Sequence, residues 1–377
     1  MRIWASLRII GILTMLFSLT MLVPILVSLI YNDGELMTFI YSLLLIAAVG
    51  LALWIITMRR RQDVGSREGF FITSLFWIGL GSLGAFPFIF SAAVEMSVVD
   101  AIFESVSGLT TTGATVIVGL DDLPKSILFY RQFLQWLGGI GIVVIAVAIL
   151  PLLGVGGMQL YRAEIPGPIK DTKMTPRLTE TAKMLFFLYV TLTSICALAY
   201  WIAGMSFFDA ICHAFATIAI GGFSTHDASM GYFDSAAINL VASIFMFIAA
   251  INFAHHFVCW RRQKIRHYWQ DPETVFYGRL MMALIAITII TLVLSGHSNN
   301  DALSHGLFQA VSMATTTGFT TSNFASWPSF LPLLLLFAAF IGGCAGSTGG
   351  GVKAVRVLLI IRQGLRELAQ LVHPNAV

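Results

Sequence analysis

The sequence predicts an all-α polytopic membrane protein, with two N-terminal helices followed by repeated helix–loop–helix units. Of its 377 residues, 57% are hydrophobic and only 11% are charged, whereas soluble domains carry about 25% charged residues. Several apolar runs reach the roughly 20 residues that a helix needs to cross a bilayer. A short Thr/Gly stretch also recurs about every hundred residues, which indicates an internal repeat.

The first 69 residues are expected to form an N-terminal transmembrane helix pair. Apolar runs extend from Ile9 to Ile30 and from Leu36 to Met58, with a turn between them. The first run follows a basic start, as a signal peptide does, but it is too long and no small-residue cleavage site follows. We therefore interpret both runs as membrane helices.

Three similar units follow, at residues 70–158, 159–260 and 261–377. Each is expected to contain a spanning helix, a short amphipathic segment that ends in a Thr/Gly loop, and a second spanning helix. The central glycines are Gly113, Gly222 and Gly318, and Asp100 and Asp209 stand at the same distance before the first two, where helix caps are expected. The expected segments are 70–90, 100–115 and 128–153, then 185–203, 209–224 and 237–259, then 276–294, 301–320 and 330–361.

The basic residues predict the orientation. All of the 22 lysines and arginines except Lys125 and Arg131 can be placed on one side, which the positive-inside rule makes cytoplasmic. The Thr/Gly loops then lie on the outer side together with acidic residues, which would concentrate cations there. Helix caps or solvated loop positions are the alternative role for such acids, which are Asp100, Glu104, Asp121, Asp122, Asp209, Asp227, Asp234 and Asp301.

The recurring loops, at 109–115, 218–224 and 314–320, favour an ion selectivity filter. Backbone carbonyls can replace the water shell of a cation, as in potassium channels, and glycine permits the backbone angles that turn them towards one axis. A single Thr/Gly stretch would be typical of helix packing in membranes, but three aligned copies disfavour that alternative. Potassium is the expected ion. Arg131 and Gln135, one helical turn apart, are candidates to brace the first loop.

A glycine-rich stretch at 342–351 interrupts the last expected spanning helix. Its glycine spacing suggests a phosphate-binding loop, but Val352 occupies the position of the lysine and no strand precedes it. So much glycine is expected to break the helix on the inner side of the third loop. Close helix packing is the alternative that the sequence leaves open.

Four segments together resemble the Trk/Ktr/HKT superfamily of potassium transporters, and within it the bacterial TrkH type, which has an extra N-terminal helix pair. They are SGLTTTGAT at 107–115, AIGGFSTHD at 219–227, ATTTGFT at 314–320 and GGCAGSTGGGVK at 342–353. The resemblance implies a pseudo-fourfold arrangement of pore repeats and an intramembrane gating loop formed by Gly342, Gly343, Gly346, Ser347, Thr348, Gly349, Gly350 and Gly351. It assigns the potassium filter to Thr111, Thr112, Gly113, Ile220, Gly221, Gly222, Thr316, Thr317 and Gly318.

The resemblance also implies the biological setting. It implies potassium uptake by a homodimer in the bacterial inner membrane, with a cytoplasmic nucleotide-binding regulatory subunit of the TrkA type. NAD or ATP is expected on that partner, and this chain is expected to bind no covalent cofactor, no nucleic acid and no metal other than potassium at the filter. No nucleophile–base–acid arrangement is visible in sequence order, so we expect a transporter and not an enzyme.

Two alternatives stay open at this point. One is a sodium or mixed monovalent cation transporter, with or without proton coupling. The other arises because the family pattern has four repeats, and a fourth central glycine would be expected near residue ~420. The sequence therefore also predicts a shortened product that lacks one unit and is inactive by itself.

Overall fold

Helices are the only regular secondary structure among the residues that the structure describes. The computed structural model describes residues 3–58, 66–139, 141, 178–328 and 330–372, and no strand occurs within these ranges. Five of the helices in these ranges are long and apolar enough to cross a membrane, and a bent helix pair could form a sixth crossing. The predicted all-α polytopic membrane class is confirmed. The chain forms two compact units, Met1–Tyr232 and Phe233–Val377.

The first unit contains the N-terminal helices and the first two Thr/Gly loops. Its helices are α1 Ile3–Thr20, α2 Leu22–Tyr31, α3 Leu36–Thr57, α4 Ser66–Leu83, α5 Phe86–Phe90, α6 Val98–Leu109, α7 Lys125–Gly139, α8 Leu178–Ile202 and α9 Phe207–Ala219.

The first spanning segment divides into α1 and α2 at Met21, where the sequence predicted one helix. Pro24 has no backbone N–H to donate to the carbonyl of Thr20, so the regular hydrogen-bond ladder stops there. Ile3–Tyr31 still forms a single candidate span.

The second unit contains the third Thr/Gly loop and the glycine-rich stretch. Its helices are α10 Ala236–Ala249, α11 Phe253–Arg262, α12 Arg266–Gln270, α13 Pro272–Leu294, α14 Asn299–Thr315, α15 Leu331–Ile341 and α16 Ala354–Val372. The break that the sequence predicted between α15 and α16 is confirmed.

The helix predicted at 237–259 was wrong as a single rod. α10 and α11 meet at an angle of 93°. The side-chain oxygen of Asn252 accepts hydrogen bonds from the backbone N–H groups of Ala254 and His255, so Asn252 starts a new helix as its N-cap. Its signal in the sequence is one polar residue inside an apolar run.

Several predictions concern residues outside the described ranges. The later part of the helix predicted at 128–153 and most of the basic loops at 59–67 and 159–183 are among them. The boundaries of the three repeats at 70–158, 159–260 and 261–377 stay predictions.

Candidate functional site

The helices that precede the three Thr/Gly loops begin in the same way. The side chain of the N-cap serine accepts a hydrogen bond from the backbone N–H of an aspartate three residues later, as in a capping box. The expectation that Asp100 and Asp209 are themselves the caps was wrong, because the caps precede them in a Ser-x-x-Asp pattern. The three pairs are Ser97 with Asp100, Ser206 with Asp209, and Ser298 with Asp301.

The same helices also end in the same way. In each, the residue two positions before the central glycine has a positive φ: 55° at Thr111, 54° at Ile220 and 70° at Thr316. The next residue donates its backbone N–H to a carbonyl five residues earlier, over 2.9, 2.8 and 2.9 Å in the three loops. This is a Schellman-type helix end. Each loop therefore starts at the negative end of a helix dipole, which favours a cation.

The central glycines repeat a second positive φ. The values are 76° at Gly113, 78° at Gly222 and 85° at Gly318, a region that other residues rarely adopt. A Cβ atom on Gly113 would also overlap the carbonyl oxygen of Gly221, so the first two loops touch backbone to backbone. Among the described residues, no neighbouring atom lies within 4 Å of a Cβ placed on Gly318.

A serine hydroxyl holds the first and third loops to the helices that precede them. Ser107 donates to the carbonyl of Ala114 over 2.5 Å, and Ser312 donates to the carbonyl of Phe319 over 2.7 Å. Both serines stand six residues before the central glycine. The second loop has Ala216 at that position, so it needs another hydrogen-bonding partner.

Gln135 on α7 is that partner. Its amide nitrogen donates to the carbonyl of Gly221 over 2.6 Å, and its amide oxygen accepts from the backbone N–H of Phe223 over 3.0 Å. Gln135 is fully buried. The sequence predicted that Gln135 braces the first loop, but it braces the second, because a glutamine supplies the donor and the acceptor that an alanine lacks.

A buried ion pair joins the first two loops. The guanidinium of Arg131 donates hydrogen bonds to the carboxylate of Glu104 over 2.8 Å, to the hydroxyl of Thr115 over 3.0 Å and to the carbonyl of Ser224 over 3.0 Å. Glu104 also accepts the backbone N–H of Val116 over 3.1 Å. Both charged side chains are fully buried. The predicted bracing by Arg131 is confirmed, whereas the expectation that Glu104 belongs to an open acidic vestibule was wrong.

A histidine with two carboxylates lies beside the second loop. His226 forms ion pairs with Asp121 and, over 3.5 Å, with Asp209, and its ring stacks on Tyr232 with 3.4 Å between centroids. Burial alone would lower the pKa of His226, but hydrogen bonds to Asp209 and Asp121 outweigh it and raise the pKa above the usual 6.5. Asp209 also accepts a hydrogen bond from Thr225. The cluster thus ties the loop after Gly222 to the start of α9.

The glycine-rich segment, residues 342–353, leaves α15 and returns to it as a closed loop. The backbone N–H groups of Val352 and Lys353 donate to the carbonyls of Phe340 and Ile341, over 2.8 and 2.9 Å. At this neck, a Cβ on Gly342 would overlap the carbonyl oxygen of Gly350. Glycine is required here because the two chain segments of the neck lie so close together that neither has room for a side chain.

The tip of the glycine-rich loop binds the break between α10 and α11. Cys344 donates its backbone N–H to the carbonyl of Ala250 over 2.8 Å, and Gly346 accepts the backbone N–H of Phe253 over 3.0 Å. Farther along, Gly350 donates its N–H to the hydroxyl of Thr316 over 2.7 Å. A hydrogen bond therefore joins the glycine-rich loop to the third Thr/Gly loop.

Comparison with known proteins agrees with this arrangement. The family model described as TrkH, cation transport protein, matches residues 35–377. The chain belongs to the TrkH family. A Trk system potassium uptake protein TrkH from Vibrio parahaemolyticus is 56% identical over 382 residues, which cover 100% of this chain and 79% of that protein. The Escherichia coli K12 protein of the same name is 57% identical over 374 residues, 98% of this chain and 77% of that protein.

A solved structure is also similar. It is the crystal structure of the potassium transporter TrkH from Vibrio parahaemolyticus, with a TM-score of 0.89 and 52% sequence identity, covering 100% of this chain and 78% of that one. Membership of a family of multi-pass cation transport proteins is therefore established for this chain. The role of each filter and gating residue stays a prediction.

The sequence was enough to predict the Thr/Gly loops, but not most of the residues that form hydrogen bonds with them. Glu104 and Arg131 could have been paired, because charged residues inside membrane segments usually bind one another. The Ser-x-x-Asp pattern is also present in the sequence of all three units and could have predicted the N-cap serines. The link from Gly350 to Thr316 left no such signal, since it joins a backbone group to a hydroxyl across separate segments. Within the described residues, no group of His, Cys, Asp and Glu forms a metal site.

Proposed function

We propose that this chain is the membrane subunit of a potassium uptake system of the Trk type. Carbonyl oxygens of the three Thr/Gly loops would replace the hydration shell of potassium. The observation that carries the proposal is the repeated backbone of these loops, with paired positive φ angles and a helix C-terminus behind each. The names of the relatives support potassium as the ion.

The proposed filter residues are those that the family resemblance assigned, and the glycine-rich loop is the proposed gate. In this view the loop obstructs the ion path when it is bonded to Thr316 and to the break at Ala250, and it moves aside when the channel opens. A TrkA-type subunit carrying NAD or ATP would regulate the loop from the cytoplasm. The proposal includes a homodimer in the bacterial inner membrane with its basic loops cytoplasmic.

Cation flux into liposomes that contain the purified chain tests this function. We expect uptake of potassium to exceed uptake of sodium, and deletion of 346–350 to raise basal uptake without changing the ratio of the two ions. Empty liposomes give the leak. Equal uptake of both ions would refute potassium selectivity, and low flux in a folded deletion variant would refute the gate.

A further inference from the structure

A carboxylate outside the Thr/Gly loops binds both the glycine-rich loop and the first turn of α16, the helix that follows it. Oε1 of Glu273, in the first turn of α13, accepts the backbone N–H of Ala345 over 2.6 Å and that of Val355 over 3.2 Å. Ala345 lies inside the loop and Val355 lies just after it. One carboxylate oxygen on α13 therefore accepts hydrogen bonds from the loop and from the helix that follows the loop, α16.

A glutamate in the first turn of a helix has an ordinary explanation, since its charge interacts well with the helix dipole. The start of α13 does not need Glu273 for capping, however. Asp271 is the N-cap and accepts the backbone N–H of Thr274 over 2.8 Å. The hydrogen bonds of Glu273 go to the glycine-rich loop instead, and hydrogen bonds to an ionised group are about twice as strong as neutral ones.

The other described hydrogen bonds that hold the loop are of a different kind, and the bond from Gly350 goes to the neutral hydroxyl of Thr316. The bonds of Cys344 and Gly346 to the α10–α11 break join backbone to backbone, and a side-chain substitution does not remove them. The ammonium group of Lys353 donates a hydrogen bond to the carbonyl of Gly349, within the loop itself. Glu273 is thus a carboxyl side chain from a separate helix, and its oxygen holds the loop.

We propose that Glu273 is a positioning residue that latches the glycine-rich loop onto α13 in the conformation seen here. Its loss weakens the hold on the segment from Ala345 to Val355, while the backbone hydrogen bonds of Cys344 and Gly346 remain in place. The consequence for transport rests on the proposed gating function of the loop. The latch itself does not, because release of the loop can be measured without any ion flux.

Cys344 provides that measurement. It is fully buried in the loop, and the chain has only three other cysteines, Cys196, Cys212 and Cys259. In a chain with those three replaced by alanine, the rate of maleimide labelling reports how often the loop leaves its site. Glu273→Ala should raise the rate by roughly tenfold or more, the size expected for losing hydrogen bonds to a charged group.

Two further variants control the experiment. Glu273→Gln keeps an acceptor oxygen but no charge, so we expect a smaller rise, and it serves if Glu273→Ala fails to fold. Asp271→Asn removes a charge two residues away and keeps a good N-cap, so labelling should stay at the starting rate. Unchanged labelling in both Glu273 variants, or an equal rise in Asp271→Asn, would overturn the latch.

Potassium and sodium flux in the same preparations separates the latch from the proposed function. Faster labelling together with higher basal flux and an unchanged ion ratio supports both. Faster labelling with unchanged flux supports the latch and refutes gating by this loop. Absence of potassium flux in the unaltered chain would refute the proposed function, while the labelling rates would still decide the latch.

Discussion

The first two Thr/Gly loops and the third share a backbone conformation but are supported differently. Arg131 and Gln135 on α7 brace the loops at 109–115 and 218–224 with side-chain hydrogen bonds from buried residues. The loop at 314–320 is held by its own helix through Ser312, and its Thr316 bonds the glycine-rich loop. The same backbone angles are thus braced by side chains of α7 in one unit and are linked to the glycine-rich loop in the other. Under the proposed function, we expect the first two loops to determine selectivity and the third to respond to the glycine-rich loop.

Removing the brace should have the largest effect. Arg131→Met leaves Glu104 buried without its cation, and such a change costs about 3–5 kcal/mol. We expect a large fall in the thermal unfolding midpoint of the protein in detergent. Ser312→Ala, which removes one neutral hydrogen bond from the third loop, should cost only about 0.5–1.5 kcal/mol.

The double variant Glu104→Gln with Arg131→Met sharpens this test. It leaves no buried charge unpaired, so it should recover part of the stability that Arg131→Met loses. A midpoint for Arg131→Met equal to that of the unaltered protein would show that the ion pair does not support the loops.

Replacing a central glycine by serine should have the next largest effect. The effect on ion selectivity should differ between Gly113 and Gly318. A side chain at Gly113 meets the carbonyl oxygen of Gly221 and a positive φ, whereas at Gly318 it meets a positive φ but no atom of the described residues within 4 Å. The left-handed backbone costs a residue other than glycine roughly 1–2 kcal/mol. We therefore expect Gly113→Ser to lower the potassium-to-sodium flux ratio more than Gly318→Ser does. Equal ratios would show that contact between the first two loops does not control selectivity.

A smaller effect is expected at the link between the third loop and the glycine-rich loop. Thr316→Val keeps the shape of the side chain and removes the acceptor of the Gly350 N–H. Labelling of Cys344 should rise roughly two- to tenfold for one lost hydrogen bond. Thr111→Val makes the same change at the matching position of the first loop and should leave that rate as it was. Equal rates in both variants would break the proposed difference between the loops.

Much of this contrast could not be predicted from the sequence. Apolar run lengths and the repeated Thr/Gly loops were enough for the helices, the three loops and the glycine break. The break at Asn252 was missed, because a hydropathy pattern averages over a single polar residue. The partners of Gln135 and Thr316 were also beyond reach, since they depend on which segments pack together in three dimensions. The cap at Ser97 was within reach and was assigned to the wrong residue of its pattern.

The smallest predicted effect is a pH dependence at the second loop. The raised pKa of His226 means that its ion pairs stabilise the folded protein fully at low pH, and that this contribution is lost as pH rises through the raised pKa. Burial raises the pKa of Asp209, but hydrogen bonds from His226, Ser206 and Thr225 outweigh it and lower the pKa below its usual 3.8. Its contribution is therefore present above that value and is lost only in stronger acid. Between the pKa values of Asp209 and His226, both groups are charged, and His226 also faces Asp121 and the ring of His213.

The unfolding midpoint should fall as pH is raised from about 6 to about 9, and His226→Gln should flatten this dependence. His297→Gln, at an exposed histidine of the second unit, should keep the slope of the unaltered protein; the same slope in His226→Gln would show that the cluster does not link the second loop to pH.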